Sequence, residues 1–189
     1  MHMLKHIVRA MLIGGFVLNL STQGVQAADG EGDPRQGQVK MTFSGSMIPT
    51  AIDVQPDTIT DEELLAGSGT FGQFTFRALR TDETSPIGFG SCGDGSGPSL
   101  RVVAGGGVFR FDEGSLLTVN TTDGVLCIDF DHFVGHLTET YQVTGGTGRF
   151  RNASGSLQLT KRLKPVMFSP AGQAVLLTIA GELKGTISR

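Results

Sequence analysis

The side chains best suited to chemistry cluster in one stretch, Asp129-Phe130-Asp131-His132-Phe133-Val134-Gly135-His136, with Glu139 close behind. Of the chain's 4 histidines, only His132 and His136 lie beyond residue 27. Imidazole titrates near neutral pH and ligates metals. The two rings with Asp131 or Glu139 are therefore a candidate polar cluster for metal or acid–base work. An extended backbone argues against a shared ion, because four residues of strand span about 13 Å. A bulge at Gly135 would shorten that gap. Histidines at a rim or surface, with no chemistry to do, are the simpler reading.

The other reactive groups are Cys92 and Cys127. Neither has a basic or histidine neighbour in sequence to lower its thiol pKa, and an even pair in an oxidising compartment reads as a disulfide. Closing that loop stabilises a fold by about 4 kcal/mol on loop-entropy grounds. Residues 67–72 and 88–93 each fit G-x-G-x-x-G literally, but the first runs into an alternating strand and the second lies in a loop. A dinucleotide site needs a strand before and a helix after, so both are rejected. The glycine turn at 145–148 lacks the Lys-Ser/Thr pair and the helix of a phosphate loop, and neither G-x-S-x-G nor H-E-x-x-H occurs. Thr60-Asp61-Glu62-Glu63 fits a capping box and admits one helical turn, its acids forming a solvated face. No catalytic residue and no cofactor follow from these patterns.

The elements that carry these residues begin after a removable leader. Lys5, His6 and Arg9 precede a short apolar run at 11–20, and Val25-Gln26-Ala27 offers a small-x-small cleavage site after Ala27. That is the pattern of a secretory signal peptide, too short for a stable membrane span. It implies a bacterial protein exported to the periplasm or beyond. Residues 28–37 then form a mobile polar lead-in, and 38–189 a single domain. Removing the leader leaves 13 basic against 18 acidic residues, a net charge of −5, which argues against nucleic acid or an anionic membrane as partner. With 28 glycines and no Trp, the composition suits many short strands joined by glycine turns.

Alternation of period two marks strands at 39–43, 70–80, 100–104, 108–111, 115–122, 125–129, 137–144 and 156–160, with an apolar run at 174–179 and a last strand at 182–187. Asp123-Gly124 predicts a two-residue hairpin turn, 81–99 a long loop and 161–172 a basic connection. Phe150, between Arg149 and Arg151, is expected to bury its ring and send both guanidinium groups to water. Around eight strands with no helix of ordinary length predict an all-β sandwich or barrel.

The stretch 139–159, ETYQVTGGTGRFRNASGSLQL, resembles the C-terminal motif shared by allene oxide cyclases and plant dirigent proteins, and by a group of bacterial secreted proteins of unknown function. The likeness runs from 137 to 159, is weaker out to 187, and upstream is confined to GSGTFGQFTF at 67–76. In those families the motif links two neighbouring strands of an eight-stranded antiparallel β-barrel, so the resemblance implies that fold. The cyclase's catalytic carboxylate has no matching position here. The resulting expectation is a secreted barrel, non-enzymatic, that binds a small hydrophobic molecule or a partner and forms a homo-oligomer if it follows its relatives. A cyclase- or dirigent-like enzyme that steers a reactive substrate, and a structural envelope protein, are the alternatives.

Overall fold

A computed structural model describes residues 36–52 and 54–189. The leader, its cleavage site after Ala27 and residues 28–35 of the lead-in lie outside the described residues. Nine strands follow one another: β1 (Gln36–Pro49), β2 (Thr58–Gly69), β3 (Gly72–Glu83), β4 (Gly88–Cys92), β5 (Gly95–Phe111), β6 (Leu116–Asp129), β7 (Val134–Gly146), β8 (Ser154–Phe168) and β9 (Ala174–Ser188). Among the described residues the only helical segment is a 3-10 turn at Gly148–Phe150, and no helix is long and apolar enough to cross a membrane.

Consecutive strands pair antiparallel, except β3 with β4. Two further ladders, β1 with β9 and β3 with β5, close the sheet into an eight-stranded barrel. β4 is an added ninth strand, paired with the first residues of β5 outside the ring. The expected all-β barrel is therefore present, but β2 and β4 fall outside the expected segments, and β5, β6 and β9 each join two of them. The stretch 81–99, expected as a loop, holds β4, whose sequence GFGSC is too glycine-rich to show alternation. Asp123-Gly124 is not a hairpin turn: it lies inside β6, where a register shift between Thr121 and Asp123 bends one long strand along the barrel wall. The 161–172 connection is likewise strand as far as Phe168.

Meander topology puts the connections 70–71, 112–115 and 147–153 at one end and 50–57, 84–87, 130–133 and 169–173 at the other. The first end is plugged. Phe150 is fully buried, its ring centroid 5.2 Å from Phe71 and 4.9 Å from Phe111. Phe74, Phe76 and Phe109 continue the stack inward. Gly107 makes room for this stack, because a Cβ there would meet the Phe76 ring at 2.5 Å. Arg151 and Arg149 are both exposed, as expected, but Arg149 also folds back over the plug. It lies over the rings of Phe111 and Phe150 at 4.9 and 5.0 Å, and its Nε donates to Glu113 at 2.9 Å, so its aliphatic and cationic parts seal the plug.

Candidate functional site

Beyond the aromatic stack the barrel interior becomes charged. On the inward faces of β2, β3, β7 and β8 sit Asp61 and Glu63, Arg80 and Asp82, Glu139 and Tyr141, and Lys161, all of them buried. Arg80 is the first hub, with nitrogens 3.0 Å from Asp61, 3.0 Å from Glu63 and 2.9 Å from Asp82. Lys161 is the second, reaching across the barrel to Glu63 at 2.5 Å and Glu139 at 3.1 Å. Thr121 and Tyr141 each donate a hydroxyl hydrogen bond to Glu139 at 3.4 Å. The Thr60–Glu63 segment is thus strand, not a helical turn, and two of its acids are interior rather than solvated. Helical capping signals are local, whereas here the cross-strand partners Arg80 and Lys161 decide the outcome.

Four carboxylates face two cations, a net charge of −2 if all are ionised. Such a surplus is costly in a medium of low dielectric. Two of the four carboxyls respond with raised pKa values. Burial pushes the Asp61 carboxyl up to about 6, helped by the nearby Asp82 and Glu63 and only partly offset by Arg80. Burial raises Asp82 as well, against the pull of Arg80. Glu63 goes the other way: burial opposes its charge, but Lys161 and Arg80 together hold it below the usual carboxylate range. Burial and the neighbouring carboxylates keep the Tyr141 phenol neutral, well above its ordinary value.

At the second end, past this layer, lies an apolar cavity of about 320 Å³. Leu126 and Ile128 of β6, Leu163 of β8 and Leu177 of β9 form its walls, and Phe130, Phe133 and Phe168 from the turns form its lip. Asp129 is its one ionisable lining residue and is committed elsewhere. One oxygen accepts the backbone N–H of Asp131 at 2.9 Å and of His132 at 3.0 Å, and the other meets His132 Nδ1 at 2.8 Å. Burial works against the Asp129 charge, yet these bonds keep its carboxyl below the usual range, and Asp129 in turn raises the His132 imidazole. The pair clamps the 130–133 turn, in which Phe133 takes the left-handed conformation (φ 53°) with its ring mostly exposed. That conformation is strained for an aromatic residue and is held by its surroundings.

The polar cluster read from sequence is therefore three separate features. His132 is a turn residue paired with Asp129. Asp131 accepts from the Ser96 amide at 3.1 Å and tethers the β4–β5 hairpin. His136 sits on the outer face of β7 opposite Cys127 and Arg162, while Glu139 points into the ionic layer. Cys92 and Cys127 are bonded, with Cα atoms 5.6 Å apart, which fastens the added strand β4 to β6 beside the cavity. Larger concavities of about 700 and 560 Å³ lie on the outer wall, but they are open grooves between strand surfaces around Leu79, Val108 and Leu64.

Sequence reading missed Asp61, Glu63, Arg80, Asp82 and Lys161. A signal was present: Arg80 continues the face of Phe74, Phe76 and Ala78, and Lys161 the face of Leu157 and Leu159. Charged residues in phase with an apolar face announce a buried ion network once opposite signs appear on several strands. No family model, no curated protein and no solved structure matches this chain.

Proposed function

We propose that this is an exported, non-enzymatic barrel that binds a small apolar molecule in the cavity at its second end. The observation that carries this reading is the cavity's lining, built almost wholly of Leu, Ile, Phe, Val and Pro side chains and about 320 Å³ in volume, at the lower end of the range for small-molecule sites. Its only carboxylate is bonded at both oxygens to its own turn, and so offers a ligand little beyond apolar contact. Export is supported by the bonded Cys92–Cys127 pair, which suits an oxidising compartment. Kinship with the cyclase and dirigent barrels is supported by the closed eight-stranded ring and by the motif at 139–159 spanning the adjacent strands β7 and β8. An enzymatic reading along the same lines draws less support, since Glu63, Glu139, Lys161 and Tyr141 do not line the cavity.

Native mass spectrometry of protein purified from its own envelope tests this. One retained apolar molecule per barrel is expected. A bare barrel that also fails to take up an apolar fluorescent probe would refute the reading.

A further inference from the structure

The lip of the cavity carries more exposed apolar surface than the cavity itself requires. A strand that keeps its alternation cannot expose three successive apolar side chains without also burying one. The end of β8 avoids this through two register shifts against β9, between Pro165 and Met167 and between Met167 and Phe168. As a result Val166, Met167 and Phe168 are 56%, 53% and 52% exposed. At the same end the clamped 130–133 turn presents Phe130 at 59% and Phe133 at 68%. The end of β8 and the 130–133 turn thus hold five large apolar side chains toward solvent at one end of the barrel, by bulges in the first and a strained residue in the second. Bulges that re-aim side chains and strain held by surroundings are features that function retains.

Charge marks what this face meets. Arg162 and Lys164 are exposed on the outer face of the same strand, just behind the lip. Strand rise along a wall tilted by about 35–45° puts Lys164 about 5 Å and Arg162 about 10 Å behind Val166 along the barrel axis. The polar headgroup layer is about 5–8 Å deep on each side of a bilayer's hydrocarbon core. With Val166 at the hydrocarbon boundary, Lys164 sits at the level of lipid phosphates and Arg162 just outside them. The acids of this end, Asp57, Glu83, Asp94, Asp129 and Asp131, lie on the β1–β2 connection, β3 and the β4–β6 side, Asp129 being paired with His132 and Asp131 with the Ser96 amide, and among the described residues none lies on β8 or β9 beside the lip. The net charge of −5 left once the expected leader is removed works against an anionic surface. Screening over about 8 Å at physiological salt nevertheless leaves the local pair of cations to decide the contact.

We propose that this end is a docking face for the surface of an anionic phospholipid bilayer. Phe133, Val166, Met167 and Phe168 enter the interface, and Lys164 and Arg162 meet lipid phosphates. The chain does not span the membrane; the barrel stands on it with the cavity mouth against the lipid. Docking stands whether or not the cavity takes a ligand.

Flotation of the disulfide-bonded protein with vesicles of phosphatidylcholine and phosphatidylglycerol tests the proposal. The protein is expected to float with the vesicles, and to do so less at high salt. Lys164→Gln should weaken binding about fivefold. The double change Phe133→Ser with Phe168→Ser should weaken it about tenfold or more. All three positions are exposed, and unchanged circular dichroism will establish that the variants fold. No flotation by the folded protein would overturn the proposal, as would flotation that both variants leave unchanged. A concentration-dependent dimer abolished by the lip substitutions, with no vesicle binding, would assign this face to a second copy of the chain and overturn it too.

Discussion

The two halves of the barrel interior are filled by opposite chemistry. Toward the plugged end, Phe71, Phe74, Phe76, Phe109, Phe111 and Phe150 interlock at centroid spacings of 4.0–6.4 Å. Toward the other end, Arg80 and Lys161 bind four carboxylates together across strands that are far apart in sequence. Aromatic packing is forgiving of single changes, because each ring has many partners and dispersion is spread over them. The ionic half is not, because each cation compensates specific anions that have no access to water. The difference implies that the plug fills one end by many interchangeable contacts, while the ion layer, lying between the plug and the cavity without lining the cavity, depends on specific partners.

Breaking the ionic half should have the largest effect. Lys161→Met leaves Glu139 without its ion-pair partner and Glu63 with Arg80 alone, and should cost about 3–5 kcal/mol in denaturant unfolding, or prevent folding. A loss under 1 kcal/mol, on the scale of a surface pair, would mean the layer is wetter than the structure shows.

The same half should respond with the opposite sign at Asp61. Its folded pKa, about 6, lies above the unfolded value near 3.8, so the folded state holds the proton more tightly. Stability from this group is fully present below the unfolded value and is lost as pH rises through 6, by up to about 3 kcal/mol. Glu63, held low, loses stability only on acidification below its unfolded value, outside this window. Urea midpoints should therefore fall between pH 5 and 7, and Asp61→Asn should flatten that slope and stabilise the protein at pH 7.5. A midpoint that rises over this interval would contradict the net −2 reading.

In the aromatic half, Phe150→Leu should cost only about 1–2 kcal/mol and leave that pH slope unchanged. A pH-dependent loss in this variant would show that the halves are coupled. The smallest effect is local: the His132 imidazole should titrate above its ordinary value by NMR, and Asp129→Asn should bring it back. Since this value is raised, the clamp is fully formed below the ordinary pKa and loosens as pH rises through the shifted one.

Much of the fold was legible before the structure. Alternation at 39–43, 70–80 and 137–144 marks barrel walls, and the glycine turn with Phe150 marks the plug, because local backbone and burial preferences agree there. What escaped the sequence depends on contacts distant along the chain. Lys161 resembles the start of a basic loop until Glu63, 98 residues earlier, is placed against it. Asp61 and Glu63 resemble a helix start until Arg80 is opposite. The candidate site was half legible: Asp131, His132, His136 and Glu139 do lie near the second end, but alternation sends His136 out and Glu139 in, while the partner that matters to His132 is Asp129. The cavity wall, drawn from β6, β8 and β9, had no signature of its own.

The most direct test is where an apolar probe binds. N-phenyl-1-naphthylamine should bind the wild-type protein with a rise in fluorescence. Ala174→Trp, which fills the cavity from its rim, should abolish the rise. Val108→Glu on the outer wall should leave it unchanged. Binding that survives Ala174→Trp and is lost with Val108→Glu would put the ligand in an outer groove and contradict the account.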